Sequence, residues 1–346
     1  MRPTEGIGQR MLVASVALWI GAIAVGFVVL NQGAKFLTDN AAKLSGKIGR
    51  SRFVVGALLV STLSAMPELL VSGVAVKDGS PDLALGNALA SNVVTIAFVI
   101  GLSAIVKPIK ATKEIVLRDA VFLAVVSLVA ATLLLDGDFT IFKGIALIAL
   151  FVPYTLNLLV SQKTSPEEEI ESRIENMRIE MELTGWLFGR KVEVRAGLKW
   201  LLFGVLWSVM GAEFLVQGAI GLSQTSGLSP WLLGITVVAL ATSLPDIAAA
   251  FHATRQGYTD LVLGEGIGAS VVTTLLTLGM IGIVNPGTHS VAMLLPVLAA
   301  MVLSSFLLLA LMFGEWRISS RSGAVLVASY FGMVLFNVVW LQAGLL

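Results

Sequence analysis

Cysteine is absent from this 346-residue chain, which rules out disulfide staples, thiolate metal sites and a cysteine nucleophile. Histidine is scarce: only His252 and His289 occur, and their spacing fits no zinc motif. Charge is sparse as well. Asp, Glu, Lys and Arg make up 13% of the residues, about half of what a soluble domain carries. No phosphate-cradling GxxxxGKS loop is present, so no nucleotide or other cofactor is implied, and no nucleic-acid partner either.

What is present is apolar. Hydrophobic residues are 56% of the chain and mean hydropathy is +0.91, which places it among all-α polytopic membrane proteins. Ten runs are long enough to cross a bilayer: roughly Met11–Asn31, Phe53–Val76, Leu83–Val106, Arg118–Leu135 and Phe142–Ser161, then Gly197–Ser223, Trp231–Thr254, Leu261–Val284, Ser290–Phe313 and Gly323–Leu346. The first run is too long for the core of a cleavable signal peptide and has no small-residue cleavage site.

Ten spans divide the connections into two sets. The set holding both termini carries Arg2, Arg10, Lys77 and Lys143, whereas the other carries the remaining 19 Lys and Arg. Positive-inside bias then places both termini outside and the central loop in the cytoplasm of a cell (inner) membrane.

Part of the sequence recurs 178 residues later without a gap. GALLVSTLSAMPE, ending at Pro67-Glu68, aligns with GITVVALATSLPD, ending at Pro245-Asp246, and the register also pairs Gly56 with Gly234, Gly86 with Gly264, Thr95 with Thr273 and Gly101 with Gly279. Five spans fall in each copy, and five is odd, so the second copy enters the membrane upside down. The expected organisation is two inverted five-helix repeats, residues 1–161 and 197–346, joined by a cytoplasmic linker, residues 162–196. Inverted repeats recur in secondary transporters, with the ion site near the midplane where the repeats meet.

Glu68 and Asp246 each lie about 15 residues into a span, at mid-depth. A carboxylate there is costly enough to suggest function, and preserved chemistry in both copies argues against mere helix–helix glue. Around them lie oxygens suited to a hard cation such as calcium or sodium. Pro67 and Pro245 each remove a backbone bond and free carbonyls one turn earlier, near Leu63 and Ser64 and near Ala241 and Thr242. Ser64, Thr242 and Ser243 add hydroxyls, and Asn92 an amide.

These motifs resemble the two α-repeats of the sodium/calcium exchanger branch of the cation/calcium antiporter superfamily. Its signature reads roughly G-T-S-x-P-E/D on the second helix of each repeat and G-N-x-x-G-S-N/D on the third. Here the second repeat has Ala241-Thr242-Ser243-Leu244-Pro245-Asp246 and Gly264-Glu265-Gly266-Ile267-Gly268-Ala269-Ser270. The first has Leu63-Ser64-Ala65-Met66-Pro67-Glu68 and Gly86-Asn87-Ala88-Leu89-Ala90-Ser91-Asn92. The resemblance implies Glu68 and Asp246 as shared acidic ligands, Ser64, Thr242 and Ser243 as hydroxyl ligands, and Asn92 as the third-helix amide. It implies carbonyl ligands at Ser61 and Ala239.

Three positions depart from the pattern. Ala65 stands where the family has serine, Ser270 where it has asparagine or aspartate, and Glu265 where it has asparagine. On a regular helix Glu265 is rotated about 140° from Ser270, so only a π-bulge or broken helix between them would bring both to one ion. Glu265 is therefore a ligand or proton carrier, or alternatively a vestibule residue. Glu213 pairs in the repeat with Lys35, so its chemistry is not kept, and it reads as water-facing. In the linker, Ser165-Pro166-Glu167-Glu168 begins an amphipathic helix with Ile170, Ile174, Met177 and Met181 at helical spacing, which reads as a tether on the inner membrane face.

The expected function is sodium/calcium antiport by alternating access, the protein acting as a monomer in the lipid bilayer and not as an enzyme. Proton/divalent-cation antiport is the alternative, favoured by Ala65 and Glu265, and a cation channel using the same acids is a second.

Overall fold

A bilayer interior offers no water to backbone N–H and C=O groups, so spanning segments close their hydrogen bonds internally as helices. The computed structural model describes residues 3–45, 62–113, 115–160, 198–257, 259–313 and 316–342, and these are almost wholly helical. Helix α1 is Pro3–Ser45 and α2 is Met66–Lys77. Helix α3 is Pro81–Val106, α4 is Ile115–Leu134 and α5 is Ile141–Val160. Helix α6 is Leu198–Ser226, and α7 runs through Pro230–Leu233, a π-helical turn Gly234–Val238, and Ala239–Gln256. Helix α8 joins Thr259–Val272, a π-helical turn Thr273–Thr277 and Leu278–Val284; α9 is Val291–Met312 and α10 is Ser320–Gln342.

The chain is an all-α polytopic membrane protein. Among the described residues, eight helical spans are long and apolar enough to cross a membrane, and the helix at Ile141–Leu156 is a shorter apolar one. The expected span Phe53–Val76 falls partly outside the described residues, and the expected linker helix, with Ser61, lies wholly outside them.

Local chemistry sets the helix ends. Ser229 caps α7 by accepting the Leu232 N–H, and Gly257, at φ 95°, ends it in the left-handed conformation open to glycine. Pro81 occupies the first turn of α3, where its missing N–H costs nothing.

Burial separates a centre from a rim. Helices α3 and α8 are largely buried, whereas the described side chains of α1 are mostly exposed. Helices α2 and α7 pack on α3 and α8, and the four form the centre. At the rim α1 lies along α6, where Gly26 and Gly211 let the backbones touch: a Cβ on Gly211 would sit 2.1 Å from the Leu30 nitrogen. Leu18, Leu206, Leu303 and Leu335 are exposed there, the surface a lipid-facing helix presents.

Among the described residues, four two-residue strands tie the helix connections. Strands β1 (Ile109–Lys110) and β4 (Arg317–Ile318) pair antiparallel, as do β2 (Asp138–Phe139) and β3 (Gly287–Thr288).

Candidate cation site

Polar residues concentrate where α2, α3, α7 and α8 meet. Glu68, Ser72, Asn87, Ser91, Asn92, Thr242, Ser243, Ser270, Thr274 and Thr277 are all buried. Buried polar atoms ordinarily find a partner, so those that do not mark where another group belongs. Among the described residues, four oxygens here lack one: Glu68 Oε2, Ser243 Oγ, Ser270 Oγ and Thr277 Oγ1.

The proline before Glu68 shapes its surroundings. Helical structure at Thr62–Ser64 stops at Ala65, which has φ −87° and ψ 2°, and α2 resumes at Met66 with Pro67 in its first turn. Around Pro245 the helix continues unbroken from Ala239 to Gln256. The two proline helices therefore share a motif but not a backbone. Ala65 itself is buried, at the break.

A hydrogen-bond network crosses from α2 to α7 through α3. Asn87 Nδ2 donates to the Glu68 carbonyl at 3.3 Å and to Ser72 Oγ at 3.0 Å. The Thr242 hydroxyl donates to Asn87 Oδ1 at 3.2 Å, lies 3.2 Å from the Ala239 carbonyl and is a hydrogen-bonding neighbour of the Glu68 carboxyl. Ser91 Oγ sits 3.4 Å from both Asn87 Oδ1 and Thr242 Oγ1. Ala239, Thr242 and Asp246 follow at spacings of three and four on α7, which puts them on one face; Asp246 is partly exposed.

A second network lies toward α8. The Thr274 hydroxyl bridges Asn92 Oδ1, at 3.1 Å, and the Ser270 carbonyl, at 2.8 Å, while Asn92 Nδ2 donates to the Ala88 carbonyl. Glu265 stands half-buried in the regular part of α8, and the π-helical turn begins only at Thr273. The stretch between Glu265 and Ser270 is thus ordinary α-helix, so the rotation of about 140° between them stands.

Of the residues expected from sequence, Glu68, Thr242 and Ala239 are brought together directly. Asn92 and Ser270 meet through Thr274, and Ser64 sits on the turn before the break. Asn87 and Ser91 stand in the third-helix motif without an expected part in holding the ion, and their place in the network, like that of Thr274, emerges from the structure. The signal was in the sequence: Asn87 and Ser91 are four apart, as are Ser270 and Thr274, which aligns each pair on one helix face.

Glu213 belongs elsewhere. It lies on α6 and pairs with Lys77 at 3.1 Å, beside Gln217, which donates to Asp78 and to Glu213.

A family model described as sodium/calcium exchanger protein matches residues 18–160 and again residues 197–339. The chain belongs to this sodium/calcium exchanger family. Membership makes it an integral membrane transporter of the cation/calcium antiport class and not a member of an enzyme class. It is 29% identical over 326 residues to the putative antiporter CaxA of Alkalimonas amylolytica, covering 93% of this chain and 98% of that relative. Identity is 27% to the inner membrane protein YrbG of Escherichia coli, over 96% and 98% of the two chains. It is 24% to the sodium/calcium exchanger MaX1 of Methanosarcina acetivorans, over 91% and 98%. The solved structure of the sodium-calcium exchanger NCX_Mj has the same fold, with a TM-score of 0.61 and 24% identity over 92% of this chain and 99% of that one.

Proposed function

We propose that this exchanger-family protein carries calcium against sodium by alternating access, at one midplane site built from both repeats. The observation that carries the reading is the Glu68 carboxylate. It is buried, with Oε2 unpartnered among the described residues, beside Thr242 from the other half of the chain. A buried carboxylate oxygen without a partner is costly unless a cation or a proton answers it.

Glu68 and Asp246 supply the charge in this reading. Ser64, Thr242, Ser243, Asn92 and Ser270 supply neutral oxygens, with carbonyls at Ser61 and Ala239. Few charges and many neutral oxygens suit an ion that must bind and then leave. The ions are cargo; sodium entering down its gradient would drive calcium outward.

Alternating access rests on two inverted five-helix repeats, ten spans in all, with both termini outside. Several contacts support this arrangement. Ser127 and Ser305 are 178 residues apart, the repeat offset, and their hydroxyls hydrogen-bond at 2.9 Å. A residue touches its own repeat mate only beside the axis relating the repeats. Strand β1 pairs with β4 and β2 with β3, so each repeat exchanges strands with the other. The glycine contact of Gly101 on Gly323 is echoed by Gly279 on Gly144. The π-helical turns Val94–Val99 and Thr273–Thr277 fall at matching places, and such turns gather at functional sites.

Proton/divalent exchange is the second reading, favoured by the buried Ala65, which offers no hydroxyl at the helix break. Reconstitution into proteoliposomes separates the two. Calcium uptake is expected when sodium is loaded inside and diluted outside, with pH equal on both sides. Uptake driven by a pH gradient alone, with sodium having no effect, would move the assignment to proton exchange.

A further inference from the structure

Asn87 occupies the centre of the α2–α3–α7 network, yet it is neither an acid nor one of the residues expected to hold the ion. It is fully buried, and every hydrogen-bonding position on its side chain is used. Its orientation is forced. The Glu68 backbone carbonyl can only accept, so the amide NH2 must face α2 and Oδ1 must face Thr242 and Ser91. The backbones are close at this point as well: a Cβ on Gly234 of α7 would sit 3.2 Å from the Asn87 nitrogen and 2.6 Å from the Leu83 carbonyl oxygen.

The consequence falls on Thr242. Its hydroxyl carries one proton, and four oxygen groups surround it: Asn87 Oδ1 and the Ala239 carbonyl at 3.2 Å, Ser91 Oγ at 3.4 Å, and the Glu68 carboxyl. Whichever accepts the proton is weakened as an oxygen ligand, and a hydroxyl binds a cation only through lone pairs turned toward it. A cation held by Glu68 and the Ala239 carbonyl repels the proton from both. Of the two oxygens that remain, Asn87 Oδ1 is the nearer, at 3.2 Å, and Ser91 Oγ itself donates to Asn87 Oδ1.

Resting on the proposed cation site, we infer that Asn87 is a positioning residue: it takes the Thr242 proton, turns the Thr242 lone pairs to the ion and leaves the Ala239 carbonyl free. It does so from α3 while its NH2 group holds the α2 backbone at Glu68, so the two halves of the site keep one spacing.

The test is a double-mutant cycle on the calcium KM in proteoliposomes, using Asn87→Leu and Thr242→Val. Loss of a buried hydrogen bond at a ligand predicts that each single change raises KM about tenfold. Because Asn87 acts through Thr242, the double variant should have the KM of Thr242→Val alone. In a Thr242→Ser background, which keeps the hydroxyl, Asn87→Leu should cost as much as in the wild type.

Multiplicative effects in the double variant, or an unchanged KM with only a lowered Tm, would make Asn87 a structural clamp and overturn the inference. If Asn87→Leu does not fold, Asn87→Ala removes the same groups without bulk and completes the cycle; failure of both to fold would likewise make Asn87 a clamp and overturn it. Wild-type protein that carries no calcium would overturn the functional reading itself, a result distinct from an additive cycle.

Discussion

Glu265 is the residue at which this chain departs furthest from its family pattern. It aligns with Asn87 in the repeat, but its half-buried position on the regular stretch of α8 is rotated away from Ser270. If it serves the ion, Glu265→Gln should weaken calcium binding in calorimetry and flatten the dependence of transport on pH. The family-like pair Glu265→Asn with Ser270→Asp should then restore flux better than Glu265→Asn alone. An unchanged affinity and pH profile in Glu265→Gln would assign it to the vestibule. Ala65 poses the complementary case. Ala65→Ser returns a hydroxyl to the helix break, and sodium affinity measured by competition with calcium should rise or hold; a fall would show that the alanine is needed there.

The acids were legible at this scale because a charge in an apolar helix stands out against its neighbours. Asn87 and Thr274 were not, because a neutral polar residue in a helix reads alike whether it faces a site or bonds its own backbone. Thr254, which donates to the Ala250 carbonyl within its own helix, is the bland version of the same residue type as Thr274. Only the facing helix distinguishes them.

Among helices, the two proline motifs show how far sequence carries. Both prolines were legible as places where a carbonyl is freed. That α2 breaks at Ala65 while α7 runs through was not, because a proline in the first turn of a resumed helix and a proline inside a continuous one leave the same mark in the sequence. The crossing of α3 and α7 depends on absent side chains. Gly234→Ala would place a Cβ 2.6 Å from the Leu83 carbonyl oxygen, a backbone atom that cannot turn aside. Overpacking of this kind costs about 1–3 kcal/mol, so Tm in detergent should fall by a few degrees. Gly332→Ala is the control: nothing lies within 4 Å of a Cβ there, and alanine is the better helix former. A Tm unchanged in both would remove the close crossing as a determinant.

The connections carry a pH dependence of their own. Hydrogen bonds from Lys143, at 2.6 and 2.7 Å, hold the Asp136 carboxyl below the usual carboxylate range. A lowered folded pKa stabilises above the unfolded pKa, and the contribution is lost as pH falls through the folded value. Asp136→Asn should therefore lower Tm slightly near neutral pH and make no difference in strong acid or high salt, since the pair is exposed and screened. A difference that persists under strong acid would contradict the pairing.

Over the whole molecule, hydropathy located eight of the ten expected spans among the described residues, because a bilayer leaves the chain few options. It could not reveal which helices sit at the centre, since α1 and α8 are about equally apolar, yet of the two only α8 is buried. Position is decided by the polar residues a helix must hide: α8 carries Ser270, Thr274 and Thr277, whereas α1 presents leucine and valine outward. Central to the proposed function is one ion shared by carboxylates from both halves. The direct measurement is calcium exchange and calcium binding in purified Glu68→Gln and Asp246→Asn, each shown to be folded. A shared ion predicts that either change alone nearly abolishes exchange and removes the same single calcium-binding event. Near-normal calcium flux in either folded variant would contradict it.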